Sequence, residues 1–515
     1  MTLTLKSYVC GQWFQGTGEP TRLYNPTTEE VAAQTSTTGL NYREALAYAR
    51  DKGGKALRGM TFAQRGELLM DMSKAIHEHR EELLELSSLN GGTTRGDGKF
   101  DIDGATGTLG YYARAGRALG DTFSLADEDL ISLTRNPRWA GRHVYQPRQG
   151  VAILINAFNF PAWGFAEKAA CAILAGMPVL NKPATSTALV AARIAEILVD
   201  SGVMPEGVFS TVSGGAGDML DHVQWQDVVA FTGSSDTGLK IRSHRAVLEN
   251  NVPVNVEADS LNSAILGPEV DPDSDTYDLF LKEVVRDMTQ KAGQKCTAIR
   301  RIFVPQDALD SVSEDLKEQL QRIRTGTPTL KGVTTGPLAT QAQLNDAMAG
   351  LARLGECTKT LLGGERGELE GVEGKLGYFL SPTLLVAHNS EAPELHDREI
   401  FGPVATLIPY DGSVEHVTRL IEKGQGSLVS SVYSNDSTFL KALFQAIGPF
   451  LGRLHLANDK IAEHSMGPGT VLPQLMHGGP GRAGGGQELG GLSGLRFYMQ
   501  RTAIQGYAPL LEKLP

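Results

Sequence analysis

Four cysteines in 515 residues, at positions 10, 171, 296 and 357, are too few and too far apart for a disulfide scaffold or a cysteine-rich zinc site, so each thiol is judged alone. Lysine and arginine number 48 against 59 aspartates and glutamates. The resulting net charge of −11, with no long basic block, lacks the electrostatic footprint of a nucleic-acid binder. Long apolar runs are also missing. The richest neighbourhood, VAILINAFNFPAWGFAEKAACAILAG, is interrupted by Asn156, Asn159, Pro161, Glu167 and Lys168, too polar together for an uninterrupted hydrocarbon span. The first residues, MTLTLKSYVCGQW, have neither the basic start nor the roughly 7–15 apolar residues of a secretory signal, so a cytoplasmic location is expected. There is no internal repeat, heptad run or low-complexity tail.

What is present is ample apolar content, 41%, and a length that suggests roughly two to four domains. From about residue 148, short β-branched runs (GVAILIN, MPVLNK, GVFSTV, DVVAFTG, VPVNVE) alternate with amphipathic ones such as ATSTALVAARIAEILVDSG. Strands about 25 residues apart with a helix in each gap predict right-handed βαβ crossovers and an α/β fold with a doubly wound parallel sheet. Ligands then sit at the carboxyl ends of the strands, where Asn156, Lys182, Phe231 to Ser234 and Glu257 fall. A second α/β run begins near residue 258, with a helix YDLFLKEVVRDMTQKAG ending at Gly293, a strand RRIFVPQ and a helix SVSEDLKEQLQRI. Residues 358–378 read as a surface loop or hairpin. HGGPGRAGGGQELGG reads as a structured loop with close backbone approaches.

Cys296 thus falls in a short turn, within QKAGQKCTAIRR. A free cysteine is commonly a packed core thiol. A nucleophile needs a base and donors for an oxyanion, and Glu257 and Asn156 at strand ends can supply them. FTGSSDTG could face a pyrophosphate with its helix N-terminus, or hold only an ordinary Ser234 or Ser235 cap. His396 and Asp397 suggest a Cys-His-Asp hydrolase, but neighbouring side chains on an extended segment point apart. Glu167 and Lys168 would ordinarily be snorkelling surface groups; buried as a pair they would flag function.

Taken together NAFNFP (156–161), KPA (182–184), FTGS (231–234), VEADS (256–260), GQKC (293–296), EIFGPV (399–404) and QELGG (487–491), in this order and spacing, resemble the aldehyde dehydrogenase superfamily across essentially the whole chain. NAFNFPAWG, VEADSLN, MTQKAGQKCTAIRR, HGGPGRAGGG and YMQRTAIQG resemble its phenylacetate-degradation branch in particular. The resemblance implies a Rossmann-like cofactor-binding domain (1–124 and 149–256), a second α/β catalytic domain (257–475) and oligomerisation segments (125–148 and 476–515).

It also implies roles. Cys296 adds to the aldehyde, the Asn156 amide and the Cys296 backbone N–H hold the oxyanion, and Glu257 activates the water that hydrolyses the thioester; Lys168 and Glu488, with Glu167, match proton or water relay positions. On the cofactor side it implies Lys182, Thr185, Phe231, Gly233, Ser234, Glu399 and Phe401. Where NAD-preferring members often carry a glutamate three residues after the lysine, this chain has Thr185, which would not repel a 2′-phosphate; NADP is therefore favoured, with NAD as the other dinucleotide. The implied substrate is a semialdehyde carried on a CoA thioester, either 3-oxo-5,6-dehydrosuberyl-CoA semialdehyde of phenylacetate breakdown or the 3,4-dehydroadipyl-CoA semialdehyde of benzoyl-CoA breakdown; a general aldehyde dehydrogenase, a CoA-acylating enzyme and a non-catalytic paralogue are the alternatives. Because the chain stops at Pro515 without a hydratase domain, a separate hydratase is expected to hand over the semialdehyde. A homodimer is expected, built through DEDLISLTRNPRWAGRHVYQP and the chain beyond residue 490, with no metal, nucleic acid or membrane partner.

Overall fold

The computed structural model describes residues 2–514. Two seven-stranded sheets carry the molecule. In the first, five parallel strands run in the order Val254–Glu257, Val228–Thr232, Ala152–Ile155, Val179–Lys182, Phe209–Thr211, and an antiparallel N-terminal hairpin, Ser7–Val9 with Gln12–Phe14, extends the edge. Strand order reverses between Ala152–Ile155 and Val228–Thr232, so the crossovers diverge there and leave a crevice outside the carboxyl ends. These strands are buried on both faces, as near-continuous β-branched sequence requires. The helix Trp163–Ala175 is buried along its whole length beneath the sheet.

The second sheet orders Thr358–Leu362, Thr383–Ala387, Val404–Tyr410, Arg301–Pro305, Ser263–Leu266, Ser427–Tyr433 and Leu451–Ala457, all parallel except the first strand. The first of these is the start of the segment read as a loop or hairpin. Strand Trp139–Pro147 pairs over nine residues with Met499–Tyr507, and Leu125–Ala126 and Ile131–Ser132 pair with its other edge, making a separate arm. The fold is thus α/β, with a doubly wound sheet, a second α/β layer and a projecting β-arm. Residues 476–498 do not belong to the arm: Met476–Gly478 and Gln487–Leu489 form a hairpin, and the helical turn Gly491–Tyr498 packs on the buried helix. Among the described residues no helix is long and apolar enough to cross a membrane.

The helix over Asp275–Thr289, capped by Ser274, stops four residues before Gly293. Lys291 and Ala292 take left-handed conformations at φ 55° and 52°, followed by Gly293 at 68°. Non-glycine residues there cost about 1–3 kcal/mol each and persist only when surroundings enforce them. The Lys291 backbone N–H donates to Asp97 (3.0 Å), its ammonium lies 4.3 Å from the Phe160 ring centre, and a Cβ on Gly293 would stand 2.1 Å from the Gly402 carbonyl oxygen. This forced turn delivers Cys296 to the crevice.

Candidate active site

The backbone around Cys296 is pinned from several sides. The Asn262 amide donates to the carbonyls of Cys296 (2.7 Å) and Ala298 (2.9 Å), the Arg300 guanidinium to those of Gly293 (2.9 Å) and Lys295 (3.2 Å), and the Thr297 hydroxyl to Gly469 (3.1 Å). Lys295 is fully buried and donates to Asp287 and Gln290, 2.9 Å each. Such bracing holds a reacting atom within the narrow tolerance catalysis needs.

Cys296 stands between two spaces. On one side a crevice of about 920 Å3 is lined by Phe231, Gly233, Ser234, Glu399 and Phe401, with Asn156, Asn159 and Glu257 at its inner end. On the other a narrow cavity of about 40 Å3 is walled by Phe100, Phe160, Trp163 and Val471, and Asn159, Glu167, Glu257 and His477 reach it. A wider groove of about 1280 Å3 between the helices Arg80–Gly91 and Asp275–Thr289 holds none of the expected site residues and no thiol. Chemistry rather than size locates the site.

Glu257 ends its strand fully buried, as expected from the sequence, but its nearest partner is a residue the sequence reading missed. His477 Nε2 lies 3.0 Å from Glu257 Oε1 and 3.6 Å from Cys296 Sγ. Burial alone would raise the Glu257 carboxyl, yet the His477 charge and hydrogen bond, with Lys168 behind, outweigh it and hold the group below the ordinary carboxylate range. Burial alone would lower His477; Glu257 reverses that and raises it. The Cys296 thiol is pushed well up, by burial first and by Glu257 second. The thiol thus stands beside a histidine–carboxylate pair in which each partner favours the other's charged form. His477 is carried by the hairpin whose glycine loop lies on the Glu257 strand: a Cβ on Gly484 or Gly486 would stand 2.2 or 2.4 Å from the Val256 carbonyl oxygen. The dense glycines of HGGPGRAGGG are that close approach.

Glu167 and Lys168 are buried, which the ordinary surface reading did not anticipate. The Lys168 ammonium lies 2.9 Å from Glu167 and 3.2 Å from Glu488, whose carboxylate also accepts from Asn255 (3.2 Å). Burial would discharge Lys168, but Glu167, Glu488 and Glu257 outweigh it and keep it charged. Burial lifts Glu488 well above its ordinary value, Lys168 offsetting only part.

Of the two asparagines, Asn156 donates to Asn181 (2.7 Å) and meets only the crevice. Asn159 donates to the Gln294 carbonyl (2.9 Å), two residues before the thiol, and lines both spaces that meet at Cys296. Asn156, the expected oxyanion donor, thus lines the crevice with Cys296, while Asn159, reached through Ala157 and Phe158, is tied to the segment that carries the thiol.

The cofactor-side residues divide. Glu399 is clamped by Arg300 (2.9 Å) and the Ser260 backbone N–H (3.0 Å), and Phe401 packs against Phe158 at 5.7 Å. Ser234 caps the helix Ser235–Arg242 through Thr237, so the ordinary cap is real, and that helix N-terminus opens on the crevice beside Gly233, where a Cβ would stand 2.5 Å from the Phe231 ring. Ala184 lines the crevice while its neighbours Lys182 and Thr185 stand just outside; Lys182 donates to the Pro183 carbonyl (2.7 Å) with its ammonium lowered to about 8 by burial, and Thr185 donates to Gly214 (3.0 Å). His396 is bound to Arg301 (2.9 Å) and Ser390 (2.8 Å) and Asp397 faces solvent, so they form no catalytic pair.

A pinned thiol, a buried carboxylate and an amide donor thus meet at the mouth of a Rossmann-type crevice, the setting of a nicotinamide-dependent dehydrogenase. The chain belongs to the aldehyde dehydrogenase family, whose sequence profile matches residues 13–504. It is 42% identical over 480 residues, 93% of each chain, to the 3,4-dehydroadipyl-CoA semialdehyde dehydrogenase of Aromatoleum evansii. Similar folds include betaine aldehyde dehydrogenase from Staphylococcus aureus in complex with NAD+ (TM-score 0.84, 23% identity, covering 98% of each chain) and 3,6-anhydro-L-galactose dehydrogenase in complex with NADP (TM-score 0.85, 22% identity, 98% and 99%).

Proposed function

We propose that the protein oxidises the aldehyde of a CoA-linked semialdehyde to the acid, with NADP as the favoured cofactor and NAD as the other. The observation that carries this reading is the convergence of Cys296, Glu257 and Asn159 where the crevice meets the cavity. The crevice fits a dinucleotide: it has the volume, a helix N-terminus at Ser234 for a pyrophosphate, and no carboxylate at Thr185 to repel a 2′-phosphate. When bound there, the nicotinamide supplies the hydride acceptor. Cys296 adds to the aldehyde carbon as its proton passes to Glu257. The Asn159 amide and Cys296 N–H stabilise the oxyanion; Glu257 passes the thiol proton on toward the Glu167–Lys168–Glu488 cluster, and, reionised beside His477, draws a second proton from water as the thioester is hydrolysed. Lys168, Glu167 and Glu488 would then carry that proton away. Glu399, clamped by Arg300, and Phe401 would position the nicotinamide ribose and ring, with Lys182 and Thr185 at the adenosine end.

The relative at 42% identity supports the CoA-semialdehyde class, and the six-carbon dehydroadipyl substrate stands equally beside the eight-carbon suberyl one. Residues 1–124 and 149–256 serve as the cofactor domain and 257–475 as the catalytic domain, while residues 125–148 and 499–514 serve self-association into a homodimer. A separate hydratase would supply the aldehyde. Steady-state kinetics with NADP and NAD against six- and eight-carbon CoA semialdehydes and a free aldehyde of similar length test the reading. A kcat/KM that ranks the free aldehyde with or above both CoA esters would refute the substrate class, and a preference for NAD the cofactor.

A further inference from the structure

The cluster of Cys296, His477 and Glu257 has a second chemistry that does not pass through an aldehyde. We propose that these three side chains chelate one thiophilic divalent cation, Zn2+ or a metal of its class, as a reversible off-state of the enzyme. Their donor atoms lie within 4.8 Å of one another. The Nε2–Sγ separation is 3.6 Å and the Nε2–Oε1 separation 3.0 Å. Around tetrahedral zinc, with bonds of about 2.3 Å to sulfur and about 2.0–2.2 Å to nitrogen or oxygen, the corresponding edges are about 3.6 and 3.4 Å. Two of the three donor–donor edges therefore stand close to those of a zinc coordination face before any metal arrives. Thiolate, imidazole and carboxylate are also the ligand types that this metal selects.

The surroundings suit the site. The narrow cavity walled by Phe100, Phe160 and Trp163 touches all three donors. Metal binding displaces the thiol proton, so M2+ with Cys–SH, neutral His and Glu− gives the neutral chelate and one proton, with a second released from any histidine that is charged. Its opponents are Arg453 and Lys168, which face the cluster from the strand Leu451–Ala457 and the helix Trp163–Ala175, while Glu167 and Glu488 favour it. Three carboxylates, Glu167, Glu257 and Glu488, also converge, but the Lys168 ammonium already occupies the cation position among them. The chelation rests on the geometry alone; only the accompanying loss of activity rests on Cys296 being the nucleophile.

The test uses the full chain, reduced, chelator-treated, and free of nucleotide and substrate. Cobalt(II) chloride is titrated while thiolate-to-cobalt charge transfer and the visible bands of tetrahedral cobalt are recorded, then Zn2+ is added in competition. One cobalt per chain with both bands, displaced by zinc and reversed by EDTA, is expected, with dehydrogenase activity lost and regained in parallel. Affinity should rise with pH, because the thiol and the imidazole must be deprotonated to bind. In Cys296→Ser the charge-transfer band should vanish. In His477→Phe the visible bands should collapse and zinc affinity fall by more than the roughly 10–100-fold that loss of an outer-shell partner costs; Glu257→Gln serves the same purpose if the first variant does not fold. A charge-transfer band surviving in Cys296→Ser, undiminished zinc affinity in both other variants, or no band at stoichiometric metal would overturn the site.

Discussion

Cys296 has a raised pKa in the resting cluster, so the protein must supply a place for its proton, which on the proposed mechanism is the Glu257 carboxylate beside His477. The sign of His477's contribution follows. Without that cation, burial dominates Glu257 and lifts its carboxyl, so the acid limb of the kcat–pH profile in His477→Gln should move up by about 1–3 units. A profile that stays in place would show Glu257 to be independent of His477. The oxyanion assignment is equally specific: Asn159→Ala should lower kcat by about 10²–10³-fold, while Asn156→Ala, whose amide serves Asn181, should cost far less. Steady-state rates of the two variants decide between them. The turn at Cys296 and the strand ends at Glu257 and Asn156 were legible from pattern and motif. The return of the loop to the thiol-bearing segment through Asn159 is a tertiary fact with no local signature. His477 sits in a glycine-rich loop without periodicity, so only its antiparallel pairing with Glu488 and the packing on Val256 reveal it.

At the level of elements, the helix Trp163–Ala175 and the hairpin Met476–Leu489 bury Lys168, Glu167 and Glu488 together beneath the first sheet. Glu488 has a raised pKa in the fold, so the folded state holds a proton that the unfolded chain releases. By linkage its contribution to stability falls as pH rises from near 4.5 toward the raised value. Glu488→Gln should therefore gain on the wild type as pH is raised across that window, read as the difference in melting temperature at a series of pH values; a constant difference would contradict the shift. The parallel strands were plain from β-branched runs at regular spacing. The end of the helix Asp275–Thr289 was not, because its apolar face continues in pattern while Asp97 and Gly402 impose the turn that breaks it.

Across the whole molecule, two α/β layers meet over the thiol and one β-arm projects from them. Met499–Tyr507 forms an outer strand of that arm, with unpaired backbone along one side, and Ile131, Trp139 and Tyr507 are 47, 44 and 55% exposed. An outer strand with apolar neighbours is a pairing surface. For the proposed homodimer, Trp139→Asp combined with Tyr507→Asp should shift sedimentation from dimer to monomer with the melting transition retained; an unchanged sedimentation coefficient would contradict association through the arm. The arm's two main strands are far apart in the chain, so its pairing was readable only through resemblance to a family.

The central claim, hydrolytic oxidation through a Cys296 thioester, is tested most directly by mixing the wild-type enzyme with NADP and excess CoA semialdehyde, quenching in acid within the first turnovers and reading intact mass. The account predicts acyl mass on Cys296, absent from Cys296→Ser and from samples without NADP, and turnover in Glu257→Gln slowed by about 10²–10⁴-fold. Undiminished turnover with no acyl mass on Cys296 would contradict it.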